Sequence, residues 1–155
     1  MAYLHPLRFY VATLCLLTAV CATSRREWEL AGSGAAREML NQQVFNTCDE
    51  AATAACTWLR NNEPNAQRFE YCGFVVVAAG GYRATVPMTI REPTRCPRPA
   101  SGTPGETVAG WYHGHLVTND FSVTDKSHGV AIASYLCAPN GLVKKLTPEG
   151  TVIVK

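Results

Sequence analysis

The sequence contains little charge. Its 155 residues include 14 Lys and Arg and 12 Asp and Glu, so 17% are charged and the formal net charge is +2. There are no long blocks of like charge and no internal repeats, and the length fits one domain. Proteins that bind nucleic acid usually present a concentrated positive surface, so this composition gives no electrostatic case for such a partner.

A hydrophobic run long enough to cross a membrane is also missing from the start of the chain. Phe9 to Ala22 has fourteen mostly apolar residues. As a helix this run would rise about 21 Å, short of the hydrocarbon thickness of about 30 Å. We therefore predict a signal peptide over residues 1–22, ending at the small residues Val20-Cys21-Ala22. Its removal would leave a formal charge of +1 and a periplasmic or secreted protein without a membrane span. An uncleaved anchor is the alternative.

The chain after this segment begins with one clear helix signal. Residues 23–46 are weakly patterned and are predicted to form an extended or partly helical lead-in. Thr47 is a candidate N-cap, and Asp49 and Glu50 follow in the first turn, where the helix dipole favours carboxylates. Small or apolar residues then recur at three- and four-residue steps and predict one buried face: Cys48, Ala52, Ala55, Cys56 and Leu59. We expect the helix to end near Asn61-Asn62.

The remainder is predicted to be mostly strand. The strand patterns cover Phe69 to Ala79, Tyr82 to Ile90, Thr107 to His113, Ala133 to Cys137, Leu142 to Leu146 and Thr151 to Val154, with turns at Gly80-Gly81 and Pro139-Asn140-Gly141. A short helix capped by Ser122 is predicted over Ser122 to Val130. The order of elements predicts an α+β fold over residues 47–155, an α/β sandwich with a central mixed β-sheet. A long N-terminal helix and a short helix after the strand of His113 would complete it.

A proline-rich segment separates the strands. Arg91 to Gly105 contains four prolines, too many for a strand ladder, so it is predicted to be a loop. Its three arginines, Arg91, Arg95 and Arg98, could border a substrate groove. The simpler interpretation is a solvated connection held by Cys96.

Two histidines one residue apart give the clearest chemical signal. Side chains alternate across a strand, so His113 and His115 point to the same face if they close the predicted strand. Asp125 follows after a nine-residue gap, which can return its carboxylate to the imidazole pair. Two nitrogens and one carboxylate oxygen leave a position open on a tetrahedral zinc ion, as catalytic sites do. Glu70 is the candidate base, because a carboxylate that opens a buried strand is costly without a partner.

Together these residues resemble the JAMM (MPN-plus, JAB) zinc metallopeptidases over roughly Glu70 to Leu146. The resemblance is closest to a bacterial subgroup found at the ends of secreted and polymorphic-toxin proteins. The segments that carry it are Tyr112 to His115, Phe121 to Asp125 and Ser134 to Leu136. Two features differ from the family: Leu116 stands where a proline is usual, and the gap before Asp125 is nine residues where eukaryotic members have ten.

The resemblance implies a role for each residue of the motif. The metal ligands would be His113, His115 and Asp125, the general acid/base Glu70, and the oxyanion-stabilising hydroxyl that of Ser122. The activity would be Zn²⁺-dependent hydrolysis of a peptide or isopeptide bond in an exported bacterial protein. The substrate would be a peptide or protein, and a cognate secretion or immunity protein is a further candidate partner.

Two other hypotheses use the same residues differently. The first is a non-catalytic, disulfide-stapled binding or toxin-associated module with a JAB-like fold. In it the histidines would end a half-buried strand, Asp125 would stabilise the first turn of a helix, and Ser122 would cap that helix. The second is a metal-independent nuclease with His113 and His115 as acid and base, which the near-neutral charge opposes.

Five cysteines remain after residue 22, which suggests disulfides with one thiol left over. Cys72 is predicted to be the free one, because it lies two residues after Glu70 on the same strand face. Cys48 and Cys56 cannot bridge each other within one helix, since eight residues rise about 12 Å and a disulfide spans at most about 7 Å between Cα atoms. Two pairings stay open: Cys48 with Cys96 and Cys56 with Cys137, or Cys48 with Cys137 and Cys56 with Cys96.

Overall fold

The computed structural model of the chain describes residues 27–98, 105–127 and 132–155. The predicted signal peptide lies outside these ranges, as do part of the proline-rich loop and the end of the helix predicted to reach Val130. None of the helices in the described ranges is long and apolar enough to cross a membrane.

The described residues form a mixed α/β structure with one large mixed sheet and few helices. The helices are α1 (Gly34–Gln42), α2 (Cys48–Asn62) and α3 (Val123–Ser127), with a 3₁₀ turn at Pro64–Gln67. The strands are β1 (Glu29–Leu30), β2 (Cys72–Ala78), β3 (Gly81–Ala84), β4 (Met88–Thr89), β5 (Val108–Gly114), β6 (Ala133–Cys137), β7 (Val143–Thr147) and β8 (Gly150–Ile153). The predicted mixed sheet and the short helix after β5 are both present.

The centre of the sheet is the antiparallel pair β2 and β5. The strand order is β1-β4-β2-β5-β6-β7-β8, with β3 paired to the later part of β2. The β5–β6 pair is parallel, and the other described pairs are antiparallel. Cys72 lies opposite His113, and the same register runs on to Val75 opposite Gly110. This pairing fixes which residues of β2 stand beside the histidines.

Helix α2 covers one face of the sheet, as its sequence pattern predicts. Thr47 and Glu50 form a reciprocal capping box, in which each backbone N–H donates to the other side chain at 3.1 Å. The buried residues of the helix are Ala51, Ala52, Ala55, Cys56 and Leu59. Its alanines and Cys56 pack into one cluster with Tyr112 and Tyr135 of the sheet. The predicted cap and buried face are confirmed, except that Cys48 is only half-buried.

Two details of the predicted fold are wrong. A long N-terminal helix is not present in the described chain, because β1 and the nine-residue α1 precede α2. The strand predicted over Tyr82 to Ile90 is divided into β3 and β4. The ladder breaks there because the Thr85 hydroxyl accepts the N–H of Phe74 at 2.9 Å, and Pro87 has no N–H to donate.

Two disulfides cross the described structure, Cys56 with Cys137 and Cys72 with Cys96. The first is one of the bridges left open by the sequence, and it fastens α2 to β6. The prediction that Cys72 is free is wrong: its Cα lies 5.9 Å from that of Cys96, where the proline-rich loop crosses the sheet. Among the described cysteines, Cys48 is the one outside a disulfide. Two disulfides favour an oxidising, extracytoplasmic environment.

Removing each disulfide is expected to lower stability, with the larger loss for the disulfide that closes the longer stretch of chain. The sequence separations are 81 residues for Cys56–Cys137 and 24 for Cys72–Cys96. The chain-entropy model then gives stabilisations of about 4 to 5 and about 3 to 4 kcal/mol. The double alanine variant at Cys56 and Cys137 should therefore unfold at the lower urea concentration, followed by circular dichroism. The reverse order would contradict the entropic account.

Candidate metal centre

The predicted histidine pair lies on the sheet face opposite α2, at the end of β5. Alternation along the strand turns Tyr112 towards the helix and its two neighbours, Trp111 and His113, towards the other face. His115 follows the last strand residue on that same face. The side chains of His113 and His115 are 4% and 8% exposed, so the periodicity argument holds and both imidazoles are shielded from solvent.

Three potential ligand groups converge at this point. His113 Nε2 lies 3.1 Å from His115 Nε2. The Asp125 carboxylate contacts both rings, with Oδ1 3.3 Å from His113 Nε2 and Oδ2 3.3 Å from His115 Nε2. Ligands held about 2.0 to 2.1 Å from a tetrahedral zinc ion are separated by about 3.3 Å from one another. The nearest atoms of each pair are separated by close to this distance, with the two Asp125 contacts made by different oxygens, and the three residues could hold a metal ion.

Asp125 is held in place by Ser122. Both the backbone N–H and the hydroxyl of Ser122 donate to Asp125 Oδ2 at 2.7 Å. In return the N–H of Asp125 donates to the Ser122 hydroxyl oxygen at 3.1 Å. This reciprocal pair begins α3 and confirms the predicted cap. It also commits the single Ser122 hydroxyl proton to Asp125, so this residue orients a ligand, and donation to an oxyanion, as the resemblance implies, would require that hydrogen bond to break.

The electrostatics of the trio favour neutral imidazole at one ligand and a charged carboxylate between the two. Burial lowers the pKa of His113 more than its contact with Asp125 raises it, and neutral imidazole is the form that binds metals. At His115 burial acts in the same direction, but Asp125 and the charge of Glu70 raise the pKa above its usual value. Burial opposes ionisation of Asp125, yet hydrogen bonds from both histidines hold the pKa of that carboxyl well below its usual range.

Glu70 lies beside this trio, although β2 begins two residues later. Continuing the β2–β5 register places it opposite His115, and the N–H of Gly114 continues the pairing by donating to Tyr71 at 2.8 Å. Its backbone is fixed by an N–H bond to the Glu92 carbonyl at 2.8 Å and by the Thr89 hydroxyl at 2.7 Å.

The carboxyl of Glu70 is partly buried in the same cavity as the metal trio. It accepts a hydrogen bond from the backbone N–H of Cys96. Burial raises the pKa of Glu70 to about 7, and the charge of His115 only partly offsets this effect. A carboxyl with a pKa near neutrality can both take and return a proton.

Because the pKa of Glu70 is raised, we predict that the difference in stability between Glu70→Gln and wild type depends on pH in the metal-free protein. A carboxyl with a pKa of about 7 when folded and about 4.3 when unfolded binds more protons in the folded state. Ionisation therefore destabilises the fold as the pH rises between those values. Glu70→Gln removes this penalty and should gain about 1 to 2 kcal/mol over wild type across the window, a figure reduced because the carboxyl is partly solvated. Urea titrations in chelator from about pH 4.5 to 8 measure it, and a difference that does not change with pH would contradict the assignment.

Three residues that the sequence analysis did not place in the site support the histidines. The Thr118 hydroxyl lies 2.8 Å from His115 Nδ1, a contact that fixes the ring with its other nitrogen towards Asp125. Trp111 stacks on His113 with ring centroids 5.5 Å apart, and Phe121 packs against the same ring at 5.9 Å. In the described residues no hydrogen-bond partner faces the buried Nδ1 of His113. Packing therefore orients this ring, and no sequence motif predicts these packing contacts.

The site opens into a groove with a cavity volume of about 850 Å³. One wall is the described part of the proline-rich loop, including Arg95 and Arg98. Arg91 does not line the groove, because it forms an ion pair with Glu29 of β1. Of the three arginines considered as a groove border, two therefore face the site.

No protein-family model, curated protein or solved structure matches this chain.

Proposed function

We propose that this protein is an exported zinc-dependent hydrolase of peptide or isopeptide bonds. The observation that carries the proposal is the convergence of His113, His115 and Asp125, with Glu70 in the same groove. Each group has a separate structural explanation, but the four together match the needs of metal-assisted hydrolysis.

Zinc is the metal that we assign to this donor set. Two imidazoles and one carboxylate supply nitrogen and oxygen ligands, a set found in catalytic zinc sites and also in non-haem Fe(II) sites, and hydrolysis needs no change of oxidation state at the metal. Harder ions such as Mg²⁺ and Ca²⁺ prefer sites built wholly of oxygen ligands. The groove beside the trio leaves room for a substrate at the fourth position.

The mechanism assigns proton transfer to Glu70. A zinc ion held by the trio would polarise the substrate carbonyl and make a water in the groove more acidic. Glu70 accepts a proton from the attacking water, whose oxygen bonds to the carbonyl carbon. The same carboxyl then returns the proton to the leaving amine as the carbon–nitrogen bond breaks. The Cys96 N–H orients the Glu70 carboxylate, and the Ser122 hydrogen bonds keep Asp125 turned towards the histidines.

The arrangement around the site also supports a JAMM-like fold as part of the proposal. One helix covers one face of the mixed sheet, a strand delivers the His-x-His pair, and a short helix carries Asp125. Export is supported by the two disulfides, since such bonds persist in oxidising compartments. The arrangement around the site and the two disulfides therefore both support a periplasmic or secreted peptidase.

Metal removal tests the proposal directly. Dialysis against a chelator should abolish cleavage of a peptide library, and one equivalent of Zn²⁺ should restore it. Mg²⁺ should fail, because the donor set includes two imidazoles. A protein that stays folded, holds no zinc and cleaves nothing would instead support the non-catalytic binding module. RNA or DNA cleavage that persists in chelator would support the nuclease hypothesis.

A further inference from the structure

The wall of the groove formed by the proline-rich loop is fixed relative to the metal trio. Cys96 is joined to Cys72, which lies directly opposite His113 in the sheet. Cys96 is buried, and its N–H donates to Glu70. Arg95 and Arg98 flank this anchored residue and both line the groove. Two guanidinium groups are therefore carried on a loop whose base is tied to the site.

Arg98 packs over the Trp111 ring, beside the histidines. Its guanidinium carbon lies 5.9 Å from the centre of the Trp111 ring, whose other contacts include stacking on His113. A guanidinium packed over an aromatic ring keeps its edge N–H groups available for a planar anion. The tryptophan thus connects a cationic anchor to the imidazole that the proposed function uses.

Arg83 and Arg91 form ion pairs with Glu106 and Glu29 outside the groove, whereas Arg95 and Arg98 both line it. The groove also contains Glu70, Glu92 and Asp125. With a divalent cation bound, that cation and the two arginines together outweigh the three carboxylates. The groove with a divalent cation bound would favour an anionic substrate.

We propose that Arg95 and Arg98 form a carboxylate-binding subsite, so that the preferred substrates are peptides with a carboxylate close to the bond to be cleaved. This inference rests on the proposed function. The carboxylate has two sources, an acidic side chain or the C-terminus of the peptide. Planar N–H edges of arginine match a carboxylate by paired hydrogen bonds, and the cavity is large enough for a short peptide segment.

Binding to zinc-loaded Glu70→Gln tests the subsite without turnover. The probes are fluorescein-labelled alanine pentapeptides in two matched pairs. One pair has Glu or Gln at the fourth position with an amidated C-terminus, and the other has a free or amidated C-terminus. Fluorescence anisotropy should show about 10-fold tighter binding for the carboxylate member of at least one pair, a preference that weakens with salt. The pair that shows this preference identifies the source of the carboxylate.

The matched arginine variants, made in the zinc-loaded Glu70→Gln background, decide whether the subsite is the cause. Arg98→Ala should remove most of the preference, and Arg98→Lys should keep part of it because the charge remains without the paired geometry. Arg68→Ala is the control, since Arg68 also lies over an aromatic ring, Phe69, but outside the groove. Equal binding of acid and amide peptides, no measurable binding, or an unchanged preference in the joint alanine variant of Arg95 and Arg98 would overturn the proposal.

The two proposals fail in different ways. If acid peptides bind preferentially through Arg98 but zinc-loaded wild type cleaves none of them, the subsite stands and the hydrolase assignment falls. If wild type cleaves the amide and acid peptides with equal KM, the hydrolase assignment stands and the subsite falls. If the subsite binds substrate, replacing Arg98 should change KM more than kcat, because the subsite holds the substrate away from the reacting atoms.

Discussion

Replacing Glu70 with glutamine is expected to lower kcat for peptide hydrolysis by about 10²- to 10⁴-fold, the usual contribution of a positioned acid–base group. Glutamine keeps the shape of the side chain and can still accept the Cys96 N–H, but it cannot take a proton from water. The zinc content should stay at one ion per chain, because Glu70 is not among the three ligand residues. Steady-state kinetics with zinc analysis of the same sample measures both quantities.

A matched control separates this effect from a general change of charge. Glu149 is exposed in the turn between β7 and β8, far along the chain from the site, and Glu149→Gln should leave kcat and zinc content unchanged. Hydrolysis by Glu70→Gln within a factor of about three of wild type would remove Glu70 from the mechanism, whatever the metal content.

The loss of Asp125 as a ligand is expected to give the second large effect. Asp125→Asn removes the negative charge that lies between His113 and His115 and should weaken zinc binding by more than about 100-fold. This lower bound follows because residues that only support a ligand already account for about 10- to 100-fold. Competition with a chromophoric chelator measures the affinity, and circular dichroism checks that the fold is intact.

Asp120→Asn is the paired control for that experiment. Asp120 lies five residues earlier, its exposed side chain forms an ion pair with Lys144, and it is outside the metal trio. Its replacement should change zinc affinity by less than about twofold, since exposed ion pairs contribute little. Equal losses in the two variants would show that the metal is held by diffuse negative charge instead of by the trio.

Local rules predicted the parts of the site that depend on short stretches of chain. Strand alternation is sufficient to put His113 and His115 on one face, and the capping pattern is sufficient to begin α3 at Ser122 with Asp125 in its first turn. Helix α2 followed from its cap and from the spacing of its small residues. In each case the deciding interactions lie within a few residues of one another.

The position of Glu70 depends on long-range pairing, which local rules do not determine. The register of β2 against β5 shifts between Val75 and Val76, so the pairing of the later residues of β2 does not give the residue opposite His115. Only the observed pairing of Cys72 with His113 makes the juxtaposition definite. In the sequence Glu70 is distinguished by beginning an apolar run, and that run does not identify its partner.

The disulfides could not be assigned from sequence for a related reason. Cys72 was expected to be free because it lies near the proposed site, yet that nearness is also why the proline-rich loop reaches it. The path of a loop with several prolines is set by tertiary contacts, here the burial of Cys96 against β4, where its disulfide sulfur lies 3.4 Å from the Met88 carbonyl oxygen. Cys48 remains unpaired because α2 turns it towards Gly110, on the opposite face of the sheet from that loop.

The location of bound zinc is the most direct test of the account. A crystal of the protein grown with Zn²⁺, with diffraction recorded on both sides of the zinc absorption edge, should show one anomalous peak per chain. That peak should lie about 2.0 to 2.1 Å from Nε2 of His113, from Nε2 of His115 and from one carboxylate oxygen of Asp125. Absence of a peak between these three side chains, or a zinc ion held elsewhere, would contradict the proposed metal centre and the hydrolytic mechanism built on it.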